Sequence, residues 1–232
     1  MKFKKLAIAT LALGLLTTGV IASEGQVVQA KENQERVQHL YDIRDLHQYY
    51  SAPSFEYSNI SSKVENYNGS NVLRFNQKNQ NHQLFLLGKD KEKYKEGFEG
   101  QDVFVVQELI DPNGRLSTVG GVTKKNVKSV FGFVSKPDLL VKKTDSPNGM
   151  SKNELFLIKK EEVSLKELDF KIRKLLVEKH GLYQGKSKYG KIIINLKNDK
   201  KEEIDLSNKL QFERMGDVLD SKDIKNIEVN LN

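Results

Sequence analysis

The residues of this chain that could take part in catalysis or hold a metal ion include its histidines and carboxylates. A glycine pair is also present, which could belong to a phosphate-binding loop. The four histidines, His39, His47, His82 and His180, lack the spacing of metal ligands, and we interpret them as partly exposed polar side chains. The segment 119–123, Val-Gly-Gly-Val-Thr, lacks the lysine and the following helix that a phosphate-binding loop requires. Carboxylates are numerous, but no catalytic pairing can be read from their positions. The sequence therefore predicts a binding protein with no cofactor and no metal, rather than an enzyme.

The beginning of the chain predicts export. Three lysines precede an apolar run from Leu6 to Ile21, and Val28-Gln29-Ala30 offers the small residues that a signal peptidase reads. The run is short and contains glycine and threonine, so a retained transmembrane helix is not expected. We predict that residues 1–30 are a signal peptide and that the chain from residue 31 is secreted and extracellular, without membrane insertion.

The exported chain carries mixed charges and no cysteine. Its formal charge is +7 with residues 1–30 and +5 after they are removed, and acidic and basic residues are interspersed. This distribution favours solubility, with an acidic partner surface as the alternative interpretation. Without disulfides, the fold must rest on core burial. About 200 residues allow one large domain or two domains of about 100 residues.

A long helix is the clearest element of the sequence. Ser164 and Glu167 form a capping box, and Gly181 suits a left-handed C-terminal cap, which predicts about sixteen helical residues between them. Aliphatic residues recur at three- and four-residue steps on one face: Leu165, Leu168, Ile172, Leu175 and Leu176. The opposite face carries charged residues: Lys166, Glu167, Lys171 and Lys174. Asp169 and Arg173 are expected to form an ion pair on the helix surface worth a few tenths of a kcal/mol.

The N-terminal half predicts a short helix followed by a five-stranded barrel. Apolar residues from Leu40 to Tyr50 recur at helical spacing before Pro53. Five segments rich in β-branched and aromatic residues follow: Phe55 to Tyr67, Asn71 to Asn76, Gln83 to Leu87, Val103 to Ile110 and Leu116 to Thr123. Turns are predicted at Asn68-Gly69 and at 111–114, and the charged link 89–100 can hold a helical turn. This arrangement is typical of an OB-fold barrel.

The two hairpin tips are candidate binding residues. In an OB-fold barrel the loop between strands one and two and the loop between strands four and five flank the binding face, so we expect them to lie near one another. Asn68, Gly69 and Gly114 are good turn residues in any case. Tyr67, Leu109 and Pro112 are different, because they place apolar surface at tips where a monomer gains nothing by exposing it.

The C-terminal half predicts a β-grasp domain. Three strands are expected before the long helix: Val127 to Val134, Leu139 to Lys142 and Leu155 to Lys159. After the helix come two strands, a short helix and a last strand: Lys191 to Leu196, Glu203 to Leu206, Ser207 to Arg214 and Ile224 to Leu231. Strands, a long helix and further strands describe this fold. We therefore predict an α+β, mostly β chain with an OB-fold domain at 31–126 and a β-grasp domain at 127–232.

Single-stranded nucleic acid is a rival partner for a basic OB-fold barrel. Such sites combine aromatic platforms with a basic groove. Here Phe75 and Phe85 are accompanied by Arg74 and little else, and the lysines are spread along the chain among acidic residues. The sequence therefore does not favour nucleic acid as the partner.

The chain resembles the superantigen toxins of staphylococci and streptococci. Over 24 residues, eight positions match the second sequence pattern of these toxins in type and spacing: Lys160, Val163, Leu168, Asp169, Arg173, Leu176, Leu182 and Tyr183. The first pattern, around Gly120-Gly121-Val122-Thr123, is altered, because Val119 replaces the usual tyrosine and Asn126 comes early. With the absence of a cysteine loop, these departures are similar to the staphylococcal superantigen-like exoproteins, which share the fold but block host immune proteins instead of acting as T-cell mitogens.

Within that group, residues 31–126 are most similar to the member that binds the Fc region of immunoglobulin A and complement component five. The similar stretches are 36–43, 64–70 and 107–114. The resemblance implies that the OB-fold domain contacts immunoglobulin A Fc and blocks receptor engagement through the positions that match that member's contact residues: Tyr67, Asn68, Leu109 and Pro112. It further implies complement binding through the β-grasp domain, although 126–159 is more similar to other members. A sialylated-glycan or leukocyte-receptor-binding module acting through the β-grasp domain is the alternative.

Overall fold

The computed structural model describes residues 43–67, 70–109, 114–127, 132–143 and 151–232, with the side chains of 67, 70 and 71 left out. The N-terminal half begins with helix α1 (Ile43–Ser51), which confirms the helix predicted before Pro53. The strands and the short helix that follow are β1 (Ser54–Tyr67), β2 (Ser70–Gln77), β3 (Gln80–Phe85), α2 (Lys89–Lys93), β4 (Gly97–Val106), β5 (Leu116–Val119) and β6 (Val122–Thr123).

The first sheet confirms the OB-fold prediction. Its strand order is β5-β3-β2-β1-β4-β6, with β3 and β5 parallel and the other neighbours antiparallel. Because β5 and β6 belong to one segment, the order begins and ends on that segment and the sheet curls back on itself. The predicted fifth strand, Leu116 to Thr123, is therefore interrupted at Gly120 and Gly121.

The interruption has a steric cause. Gly120 and Gly121 have φ values of 56° and 83°, and their amides donate to the carbonyls of Phe85 and Met215. A Cβ at position 120 would lie 2.7 Å from the Met215 carbonyl carbon, and one at 121 would lie 2.5 Å from the Phe104 oxygen. Only glycine allows the backbone of 215 to approach the barrel this closely.

The C-terminal half confirms the β-grasp prediction. Its elements are β7 (Asp138–Lys143), β8 (Ser151–Leu155), β9 (Glu162–Ser164), α3 (Leu165–His180), β10 (Gly190–Leu196), β11 (Lys201–Asp205), β12 (Val218–Asp220) and β13 (Ile224–Leu231). The main sheet has the order β11-β10-β13-β7-β8, in which β13 and β7 are parallel, and β9 pairs with β12. The aliphatic side of α3 and the inner faces of β10 and β13 belong to one hydrophobic core.

Two of the local predictions in this half are wrong, and a third is tested only in part. Leu155 to Lys159 is not a strand; the strand is Ser151–Leu155, an edge strand whose side chains are mostly exposed and therefore carry no apolar alternation. Of the predicted strand Val127 to Val134, 128–131 lie outside the described residues and the rest form no strand. The helix predicted from Ser207 is only a 3-10 turn, Phe212–Arg214.

Helix α3 has the predicted ends but not the predicted solvent face. Ser164 Oγ accepts from the Glu167 amide at 3.1 Å, and Gly181 has φ 70°. Lys166 and Glu167, expected to be exposed, are each only 2% exposed. The reason is that α3 is covered on both sides, by the β-grasp sheet and by the N-terminal half, so its charged residues are buried as ion pairs.

The Asp169–Arg173 pair is also buried and not on the helix surface. Arg173 Nε donates to Asp169 at 2.6 Å, with the two side chains 0% and 4% exposed. Tyr50 of α1 donates its hydroxyl to the same carboxylate at 2.8 Å. Arg173 also donates to the carbonyl of Asp205 at 2.9 Å. The pair therefore joins α1, α3 and the end of β11, which explains why removing one partner should cost far more than a surface pair.

Candidate binding site on the barrel loops

The first predicted loop closes the β1–β2 hairpin. Tyr67 and Ser70 form the last residue pair of the β1–β2 ladder, so residues 68 and 69 connect two paired strands, as predicted. Tyr67 is the last residue of β1. Asn68 lies outside the described residues. The structure thus places the backbone of Tyr67 at the tip of this hairpin and describes no side chain there.

The second predicted loop follows β4. Leu109 is half-buried and packs against the hydrophobic core of the molecule. The amides of Glu108 and Leu109 both donate to the Ser117 carbonyl, at 2.8 and 3.3 Å, and so close the base of the loop. Pro112 lies outside the described residues. Leu109 therefore offers only part of its side chain to a partner, because the remainder is already packed.

The described bases of the two loops lie on the same curled sheet. Leu109 pairs with Ser117, Ser117 with Gln83, and Gln83 with Arg74, which makes three steps across the sheet. Ser70 lies four residues further along β2. With about 4.8 Å per strand and about 3.4 Å per residue, the loop bases are about 20 Å apart over the sheet. A standard interface of about 800 Å² per partner can span both.

Glu108 fixes the base of the second loop. Its side chain is fully buried, and its carboxylate lies 3.1 Å from Lys166 Nζ and 2.8 Å from Lys209 Nζ. The Tyr49 hydroxyl donates to it at 2.6 Å. Burial alone would raise the pKa of Glu108, but the two ammonium groups hold it below its usual range. The carboxylate is therefore charged at neutral pH and tied to α1, α3 and the C-terminal segment.

Lys166 connects both stems of the same loop. Besides Glu108 on the leading stem, its ammonium group donates to Thr118 Oγ1 at 2.6 Å and to the Val119 carbonyl at 2.8 Å on the returning stem. Lys209 lies 3.6 Å from the centre of the Tyr49 ring. The base of an OB-fold loop is thus held by a residue of the β-grasp half. This cluster has no local sequence signal, because Glu108 and Lys166 are 58 positions apart and no spacing pattern connects them.

A second exposed surface lies on the β-grasp half. Leu155, Leu157 and Phe133 are 57%, 47% and 40% exposed, which is unusual for large apolar side chains. The ammonium groups of Lys136 and Lys159 lie 5.4 and 5.8 Å from the Phe133 ring centre. These exposed apolar side chains therefore have two basic residues beside them.

Membrane and metal features are not found in the part of the chain that the structure describes. No helix there is long and apolar enough to cross a membrane. No group of three or more histidine, aspartate or glutamate side chains there is arranged to hold a metal ion.

Comparisons with known proteins identify both halves. The family model described as "Staphylococcal superantigen-like OB-fold domain" matches residues 44–126. The family model described as "Staphylococcal/Streptococcal toxin, beta-grasp domain" matches residues 137–231.

Two related proteins are similar to this chain over its whole length. Staphylococcal superantigen-like 7 of Staphylococcus aureus (strain Newman) is 74% identical over 231 residues, covering 100% of this chain and 99% of the relative. Staphylococcal superantigen-like 10 of the same strain is 45% identical over 232 residues, covering 100% of both chains.

Solved structures of the same family are similar to this chain as well. A superantigen-like protein from Staphylococcus aureus subsp. aureus NCTC 8325 is similar with a TM-score of 0.79 and 61% identity, covering 83% of this chain and 100% of that one. The staphylococcal superantigen-like protein SSL5, crystallised at pH 4.6 in complex with sialyl Lewis X, has a TM-score of 0.76 and 36% identity, covering 82% of this chain and 100% of that one. The chain belongs to the staphylococcal superantigen-like family, whose members are secreted immune-evasion proteins that bind host molecules rather than enzymes.

Proposed function

We propose that this protein binds the Fc region of immunoglobulin A through the two OB-fold loops and thereby blocks receptor engagement. The proposed contact residues are Tyr67, Asn68, Leu109 and Pro112, which match the contact positions of the immunoglobulin A-binding member that residues 31–126 resemble.

One observation carries the proposal beyond that resemblance. The stems of the loop with Leu109 and Pro112 are fixed on both sides by buried contacts to Lys166. A loop whose base is fixed before binding loses less conformational entropy when it meets a partner. The fixed base of this loop therefore supports its proposed role in binding.

The test is a biosensor measurement with the exported chain, residues 31–232, and human immunoglobulin A Fc. Leu109→Ala and Pro112→Ala should each cost more than about 1 kcal/mol, which is a loss of about fivefold or more in affinity. Because Leu109 also packs against the core, a thermal melt must show that the variant is folded at the assay temperature.

The chain offers a matched control. Leu157→Ala makes the same change at a 47% exposed position on the β-grasp half. It should leave Fc affinity unchanged. Full Fc affinity in the double variant Leu109→Ala/Pro112→Ala, or no Fc binding by the unaltered chain, would contradict the proposal.

The resemblance also extends the proposal to complement component five, bound through the β-grasp half. The same biosensor with complement component five tests this separately. Binding that survives the double loop variant supports a second, independent surface, and no binding by the unaltered chain contradicts it.

The alternative function is a sialylated-glycan or leukocyte-receptor-binding module on the β-grasp half. It is favoured by the relative of 36% identity that was crystallised with sialyl Lewis X. This alternative predicts that sialyl Lewis X binds the chain with an affinity that does not change in Leu109→Ala. Absence of binding at millimolar glycan would contradict it.

A further inference from the structure

A pocket of about 360 Å³ lies at the end of the barrel where the β2–β3 hairpin meets the start of β5. Its lining residues are Arg74, Phe75, Asn76, Asn81, His82 and Arg115. These described residues combine two guanidinium groups, two amides, an imidazole and an aromatic ring, and they include no carboxylate. A pocket of this size and composition is large enough for a small polar ligand.

His82 is the most unusual member of this set. Its side chain is 1% exposed; the ring lies close to the backbone carbonyls of Gln80 and Phe75, and neither ring nitrogen makes a well-aligned hydrogen bond among the described residues. The ring is stacked on Phe75 at 4.8 Å between centres and meets the Tyr57 ring edge at 4.9 Å. A buried imidazole without a well-aligned hydrogen bond usually indicates a group that a ligand, ion or water satisfies. The stacking fixes its plane, so such a ligand would meet a preformed donor.

The two arginines indicate that such a ligand is negatively charged. Guanidinium groups bind carboxylate, sulfate and phosphate oxygens through paired N–H donors. Arg74 already shows this preference, because its Nη1 lies 2.7 Å from Glu65 of β1. The Glu65 side chain is 51% exposed, and an ion pair of this kind contributes little. An incoming oxyanion could therefore replace it.

We propose that this pocket is an oxyanion-binding site in which Arg74 and Arg115 supply the charge and His82 supplies a buried hydrogen bond. The proposal does not depend on the immunoglobulin A assignment. Two kinds of ligand carry such an oxyanion group: a small free anion such as sulfate or phosphate, and an acidic side chain of a bound protein.

The experiment is an NMR titration of the exported chain at constant ionic strength, with chloride exchanged for sulfate, for phosphate, or for N-acetyl-glutamate amide as a mimic of an acidic side chain. The reporters are the His82 ring and the backbone amides of Asn76 and Asn81. We expect saturable shifts with at least one of these anions. Saturation by sulfate or phosphate alone identifies a free anion, and saturation by the glutamate mimic alone identifies a protein carboxylate.

Variants make the test specific. Arg115→Gln should weaken binding at least tenfold. Glu65→Gln removes the competing carboxylate and should strengthen binding about threefold. Lys78→Gln removes an exposed positive charge from the same hairpin and should leave the anion affinity unchanged. Shifts that stay linear with every anion, or equal saturation in the unaltered chain and in Arg115→Gln, would overturn the proposal.

Discussion

Lys166 of α3 lies 3.1 Å from Glu108 at the base of the β4–β5 loop, and the two side chains are 2% and 0% exposed. Removing Lys166 takes away one of the two ammonium groups that compensate the buried Glu108 charge, the other being Lys209, and also its hydrogen bonds to Thr118 and Val119. Breaking a buried ion pair typically costs about 3–5 kcal/mol. We therefore expect Lys166→Met to lower the free energy of unfolding by about 3 kcal/mol or more, measured by urea unfolding at pH 7.

The matched control for that variant is Lys179→Met. Lys179 is also on α3 and pairs with Glu154 at 2.9 Å, but its side chain is 51% exposed. The same substitution there should cost less than about 1 kcal/mol, because exposed pairs contribute little. Equal losses in the two variants would mean that burial of the Lys166 pair does not matter for stability.

Asp90 in α2 should make stability fall with rising pH. It is 1% exposed, and its Oδ2 atom has no hydrogen-bond partner among the described residues. Burial raises its pKa to about 7, opposed by Lys93 and reinforced by Asp217 and Glu162. Between about pH 4 and pH 7 the folded chain keeps a proton that the unfolded chain releases, so stability decreases across this window. At about 1.4 kcal/mol per pH unit, the upper limit is about 4 kcal/mol.

Asp90→Asn tests this effect, because an amide cannot ionise. The variant should be more stable than the unaltered chain at pH 8, by about 2 kcal/mol or more, and similar to it at pH 4.5. Urea unfolding at both values gives the comparison, with Asp138→Asn as the same change at an exposed position. A stability difference that is the same at both pH values would contradict the expected titration.

Gly121 should not tolerate a side chain. Alanine there would combine φ 83° with a Cβ only 2.5 Å from the Phe104 carbonyl oxygen. The left-handed backbone alone costs about 1 kcal/mol or more, and the contact with backbone adds to it. We expect Gly121→Ala to lose about 3 kcal/mol in thermal or urea unfolding.

Gly185→Ala isolates the backbone contribution. Gly185 has φ 62°, but no atom of the described residues lies within 4 Å of the position that a Cβ would take there. Its substitution should cost about 1 kcal/mol. If both alanine variants lost the same stability, the close approach of Phe104 to Gly121 would not be the cause.

The sequence predicted elements best where a local signal marks their ends. The capping serine and the terminal glycine place α3 at Leu165–His180, and alternating apolar residues place β13 at Ile224–Leu231. Strand β8 was misplaced because it is an edge strand, and Phe156 and Ile158 beside it are buried without being part of a strand. The spacing of apolar residues indicates which side chains are buried. Here the buried residues lie next to the paired strand and not within it.

The candidate site was less predictable, because its stabilising contacts are remote in sequence. Lys166 looks like a surface charge within α3, yet its side chain is 2% exposed and pairs with Glu108, which lies 58 positions earlier in the chain. No spacing rule connects positions so far apart. The loop positions chosen from turn signals remain predictions, with Leu109 described as half-buried.

The ion pair between Glu108 and the β-grasp half should also affect the proposed Fc binding, because it holds the base of the barrel loop. Lys166 contacts Glu108 on one stem, and Thr118 and Val119 on the other. Glu108→Gln keeps the shape of the side chain but removes its charge, so the stems should separate more often. If the binding conformation becomes less favourable by about 1.4 kcal/mol, apparent Fc affinity falls about tenfold.

Two measurements separate this effect from loss of the partner itself. Hydrogen exchange of the Glu108 and Leu109 amides, which donate to Ser117, should be faster in Glu108→Gln whether or not Fc binds. Glu154→Gln, the same change in the pair with Lys179, should alter neither that exchange nor Fc affinity. Unchanged exchange at 108 and 109 would show that the ion pair does not hold the loop. Faster exchange with unchanged Fc affinity would show that the loop conformation does not limit binding.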